Sequence, residues 1–134
     1  MKIEEVEGIG PVFAEKLRAA GVESTEDLLE KGASRGGRVA IAEATGIEGG
    51  KILEWVNHAD LMRIKGVGSQ YSDLLEAAGV DSPAELAQRN AANLADAFQS
   101  VVAERPGIVR RVPTEAEIAG WIAEAKDLPK VVEH

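Results

Sequence analysis

The sequence predicts an all-α protein of about nine or ten short helices, built from two pseudo-equivalent halves that share one longer helix. Three observations carry this. Residues 6–28 and 64–86 align without a gap at a constant spacing of 58 positions, from Gly8 to Gly66 as from Gly21 to Gly79. Matched pairs include Phe13/Tyr71, Leu17/Leu75, Val22/Val80, Ser24/Ser82 and Leu28/Leu86, and such self-similarity marks a repeated supersecondary unit. Hydrophobic residues make up 45% of the chain and aromatics only 4%, so Ala, Leu, Val and Ile do most of the packing, a composition that suits helices better than sheets.

Taken in order, each half opens with a short helix running into a glycine turn, GIG at 8–10 and GVG at 66–68. Ile3 and Val6, like Leu61 and Ile64, are apolar three residues apart. The glycines permit a tight turn and a close backbone approach. Gly10 is placed to cap the next helix, with Pro11 at its first position, where the missing N–H is not needed. Phe13, Ala14, Leu17 and Ala20 follow at helical spacing, and Gly21, like Gly79, sits where a left-handed helix end requires it. Ser24 with Asp27, and Ser82 with Glu85, read as capped starts of the next helices.

Beyond this point the halves diverge. KGASRGG reads as a Gly-rich loop carrying Arg35 and Arg38, and RVAIAEAT as a short helix ended by Gly46. Glu48 to about Ile64 reads as the shared helix, with Ile52, Val56 and Ala59 on one stripe. In the second half, Ala91 to Ala103 is helical and ERPGIVRRVP is a longer connection. Thr114 then caps a last helix that buries Ile118, Trp121, Ile122, Ala125 and Leu128. Trp55 and Trp121 take equivalent places if about eight residues are inserted near 104–113; both are expected in the core, with an exposed partner anchor as the alternative. The tail PKVVEH is expected to fray. The halves divide as 1–60 and 61–134.

The hairpin segments resemble the helix-hairpin-helix superfamily through an apolar residue two before the first glycine, then GIGP or GVG, then Leu17 or Leu75, then AAG. Over nearly its full length the chain also resembles a bacterial family of tandem helix-hairpin-helix proteins classed as a domain of unknown function. The stretches carrying that likeness are VEGIGPVFAEKLRAAGV, ILEWVNHADLMRIKGVG, LLEAAGVDSPAELAQRN and IVRRVP. The resemblance implies two helix-hairpin-helix repeats. For function it implies only that many superfamily members bind the DNA backbone without reading sequence, and a fold does not fix a function.

The composition restricts the function classes. There are no cysteines, which excludes disulfides and thiolate metal sites. No apolar run reads as a secretory signal or a membrane span, so the expected setting is cytoplasmic, with no membrane partner. The net charge of −8 repels phosphate at long range. Of the two histidines, His58 is expected at the surface of its helix and His134 ends the sequence. None of the metal, P-loop or nucleophile-elbow spacings occurs. Lys65 as a nucleophile after the hairpin would need a base pocket in a larger domain. No enzyme activity, metal or cofactor is expected.

A GxG turn at a helix N-terminus presents main-chain N–H groups suited to phosphate oxygens. On that reading Gly8, Ile9, Gly10, Gly66, Val67 and Gly68 would touch the ligand, helped by Lys16, Arg63, Lys65, Arg110 and Arg111. The bland reading is that GxG only closes a helix–helix turn. Val12 and Gln70 stand where DNA-binding versions commonly carry a cation, and Asp73 and Glu76 lie on the second helix. The first hairpin is therefore the better phosphate candidate, and the charge disfavours nucleic acid. The favoured expectation is a non-enzymatic interaction module for an unidentified protein partner or for itself. The alternative is sequence-independent binding of a nucleic-acid backbone.

Overall fold

A computed structural model describes all residues, Met1–His134. The chain is all-helical: a 3₁₀ turn at Ile3–Glu5 precedes eight α-helices, α1 (Pro11–Ala19), α2 (Thr25–Gly32), α3 (Arg35–Thr45), α4 (Gly49–Leu61), α5 (Ser69–Ala77), α6 (Pro83–Ala87), α7 (Ala91–Glu104) and α8 (Glu115–Asp127). The number falls short of nine or ten because neither half opens on a separate α-helix. The first opens on the 3₁₀ turn, and the second on the end of α4, which stops at Leu61 rather than near Ile64.

The chain divides into two compact units, Met1–Asp60 with Val131–His134, and Leu61–Lys130. In unit 1, α1 packs on the 3₁₀ turn and on α3, and α2 packs on α3. Ile3, Leu17, Val22, Leu28, Ile52 and Val56 have no appreciable exposure. In unit 2, α8 packs on α6 and α7, and α5 on α7, around Leu61, Ile64, Leu74, Leu75, Val80, Leu86, Leu94, Phe98, Ile118 and Trp121. Burying each such side chain contributes about 1.5–3 kcal/mol relative to leaving it in water.

The two units repeat the same hydrogen bonds at the 58-residue spacing. After α1, the Val22 N–H donates to Leu17 O and the Gly21 N–H to Arg18 O; after α5, Val80 donates to Leu75 O and Gly79 to Glu76 O. Both are Schellman closures with the glycine left-handed, at φ +87° for Gly21 and +92° for Gly79. A cation closes each end, Lys31 on α2 and Arg89 just beyond α6: Lys31 Nζ donates to Gly21 O and Arg89 Nη2 to Gly79 O.

The helix starts follow their caps. Side-chain oxygens of Ser24, Ser34, Ser82, Asn90 and Thr114 each accept the N–H three residues on. At Thr114 the Glu117 carboxylate returns the bond, a full capping box. The reciprocal arm differs elsewhere: Asp27 reaches past Ser24 to the Glu23 N–H, and Glu85 turns forward to Arg89.

Three expectations fail here. KGASRGG is not a loop: Ser34 caps α3, so Arg35 and Arg38 lie on its first turn. His58 is buried, because α4 is covered on all faces from Trp55 through Leu61, whereas its apolar stripe predicts one covered face. Residues 131–134 do not fray and belong with unit 1 rather than with the second half. There Val132 is buried and the Glu133 N–H donates to Ala33 O at 2.7 Å.

Candidate interaction surfaces

The two hairpins have one construction. Gly8 and Gly66 are left-handed, at φ +89° and +91°, and a Cβ there would lie 3.4 Å from Trp55 Nε1 and 3.3 Å from Trp121 Nε1. Each tryptophan is buried and leans on the aromatic that follows its own hairpin. The Phe13–Trp55 ring centroids are 5.3 Å apart and those of Tyr71–Trp121 5.2 Å, both tilted. The tryptophans are therefore core residues that set the turn. Ile9 and Val67 are also buried, with their N–H groups bonded to Val6 O and Ile64 O. Only main chain is on offer at those two positions.

Gly10 and Gly68 differ from the glycines before them. Their φ values are ordinary, −82° and −100°, and a Cβ would meet nothing within 4 Å. They are N-caps that offer no side-chain oxygen of their own to the helix start.

What surrounds the two turns differs. At the first, Val12 is 67% exposed, and Lys51 lies over the Phe13 ring at 5.9 Å. Lys16 is exposed in the last turn of α1, away from its N-terminus. At the second, an open groove of about 480 Å³ is lined by Gly66, Gly68, Ser69, Gln70 and Tyr71 on one side and Arg110 and Arg111 on the other. Two bonds stitch the connection before α8 to the start of α5. Tyr71 Oη donates to Arg111 O at 2.9 Å, and the Arg110 N–H donates to Gln70 Oε1 at 3.3 Å. Arg110 is exposed, while Arg111 forks onto Glu117 at 2.6 and 2.9 Å. That fork, with the Thr114 N–H, pulls the Glu117 carboxyl down to about 2, and raises the Arg111 guanidinium further above its ordinary value. The basic hairpin is thus the second, against expectation, because the connection folds back over it. Of the other cations considered, Arg63 donates to Pro129 O, and exposed Lys65 has its N–H taken by the Glu124 carboxylate. Neither lines the groove.

A second concavity, of about 530 Å³, lies along α3 and α4 in unit 1. Val39, Ala42 and Leu53 are its apolar lining, beside Gly49 and Gly50, with Arg35, Arg38 and Glu43 as its charged residues. Val39 is 55% exposed. The sequence reading missed this surface because it began α3 at Arg38 and did not assign its faces. The buried stripe is Arg38, Ile41 and Thr45, which leaves Val39 outward. Arg38 is buried as a brace: it donates to Gly32 O at 2.8 Å, Ala33 O at 3.1 Å and Glu133 O at 2.6 Å.

No buried side-chain nitrogen or oxygen is left without a hydrogen-bond partner, so the interior polar groups are accounted for as structure. No helix is long and apolar enough to cross a membrane.

The chain is all-helical, with glycine-turn helix starts and two open grooves. It belongs to the family described as a domain of unknown function (DUF4332), whose profile matches residues 7–128. No curated protein and no solved structure matches it significantly.

Proposed function

We propose that the chain is a non-enzymatic interaction module made of two helix-hairpin-helix repeats, and that it binds a protein, either another chain or a second copy, through the groove along α3 and α4. The observation that carries this reading is Val39, more than half exposed in an apolar lining shared with Ala42 and Leu53. Covering apolar surface yields about 25 cal/mol per Å². A groove with an apolar lining and a few charged residues is the usual form of a peptide or helix receptor. The net charge of −8 turns the choice away from polyanions.

A photo-crosslinking side chain at position 39 of the full chain, with sedimentation velocity over rising concentration, tests the reading. The expected result is a defined adduct from position 39, to a partner or a second copy, that disappears with Ala42→Glu in a folded chain. A chain that forms no adduct and stays monomeric throughout would overturn it. Because Val39 is exposed, Val39→Glu should change stability by no more than about 0.5 kcal/mol, as urea denaturation would show.

The groove at the second hairpin favours a second reading, the capture of a phosphate backbone. There the N-terminus of α5 and exposed Arg110 face one concavity. Amide shifts of Gly68, Ser69 and Gln70 on addition of a short duplex would support it, and their absence would remove it.

A further inference from the structure

We propose that unit 1 carries a docking seat for an extended peptide, filled in cis by residues 131–134 of the same chain and in trans by the same segment of a second copy. The seat reads main chain. The Glu133 N–H donates to Ala33 O at 2.7 Å, and Arg38 donates to Glu133 O at 2.6 Å. Arg35 Nε donates to His134 O at 2.8 Å, and Asn57 Oδ1 lies 2.9 Å from His134 Nε2. A single apolar side chain is swallowed: Val132 is 1% exposed, while Val131 beside it is 41% exposed. Two arginines and a carbonyl gripping a backbone, with one pocket for a branched side chain, is how peptide receptors hold extended ligands.

The seat is pre-formed. Arg38 is braced by Gly32 O and Ala33 O, the carbonyls that end α2, so its fork is aimed without help from the ligand. The occupant enters through non-helical residues after α8, and Pro129 and Lys130 are exposed. A segment held by a few backbone bonds and one valine, beyond a proline-bearing link, has the form of an exchangeable element. Tethering gives the cis segment an effective concentration of order millimolar, so exchange with a second copy needs comparable concentration or a released tether. The proposal rests on the interaction-module reading; its seat shares Arg35 and Arg38 with the α3–α4 groove but not the apolar lining of Val39, Ala42 and Leu53. Val39→Glu, which spoils the α3–α4 groove, leaves the following titration unchanged if the seat is real.

The probe is a labelled peptide of sequence PKVVEH capped at both ends, titrated by anisotropy into the full wild-type chain and into Val132→Asp, whose own segment cannot bury. Folding of each variant is checked by circular dichroism, and Val132→Ala replaces Val132→Asp if the latter does not fold. The expected result is binding to the variant at least tenfold tighter than to wild type, lost when the third residue of the probe corresponding to Val131 is kept and the fourth, corresponding to Val132, is made Asp. Wild type should also form a dimer at millimolar concentration that excess peptide dissolves. No binding of the peptide to the folded variant would overturn the seat. Peptide binding with a strictly monomeric wild type would overturn the second copy as occupant.

Discussion

At the residue scale, paired glycines in one turn do different jobs. Gly66 is held at φ +91° with Trp121 Nε1 against the space a Cβ would take, whereas Gly68 has an ordinary φ and open space. An L side chain in the left-handed region costs about 1–2 kcal/mol, and a Ser in place of Gly at a helix N-cap gains a few tenths of a kcal/mol. Gly66→Ala should therefore lower stability by that cost and Gly68→Ser should raise it, with urea denaturation as the measurement. The sequence made the pair visible but not the division of labour, since the tryptophan that demands Gly66 is over fifty residues away. Glu117 gives a second test. Its folded value near 2 lies below the ordinary 4.5, so its contribution is complete above about 4.5 and is lost as pH falls toward 2. Glu117→Gln should lower stability near neutral pH and flatten the profile in that window, so that the two chains converge as pH falls toward 2.

At the scale of the element, helix ends were legible wherever the deciding chemistry was local. Ser24, Ser82, Thr114, Gly21 and Gly79 all sit where a cap or a left-handed closure needs them, and they act there. α3 was misread at its start because two adjacent glycines announce a loop, yet Gly37 is required by packing. A Cβ on it would fall 2.0 Å from Lys31 O, while one on Gly36 would meet nothing. Gly36→Ala should stabilise α3 by about 0.5–1 kcal/mol through helix propensity. Gly37→Ala should destabilise it, and comparing the two melting curves checks the claim. The error moved Arg38 and Val39 as well, so the α3–α4 groove stayed hidden until the helix start was known.

For the whole molecule, the spacing of 58 gave the organisation, and contacts between distant segments gave what it could not. The docking of Val132 and the folding of Arg110 over the second hairpin depend on chain that returns from far away. No periodicity in a single helix reports such returns. The return of Arg110 makes the basic groove in unit 2, whereas the apolar groove in unit 1 is lined by the successive helices α3 and α4. A global charge of −8 sets the two grooves against each other as functional sites, since long-range repulsion slows a polyanion and leaves a neutral apolar partner untouched. The direct test is fluorescence anisotropy of labelled duplex DNA with the full chain at low salt, followed by a salt titration. A protein-binding module should leave the anisotropy unchanged well above the weak nonspecific range of about 10⁻⁴ to 10⁻⁶ M. Binding that collapses with salt, and is lost on Arg110→Glu in a folded chain, would contradict the account and make the second hairpin the working site.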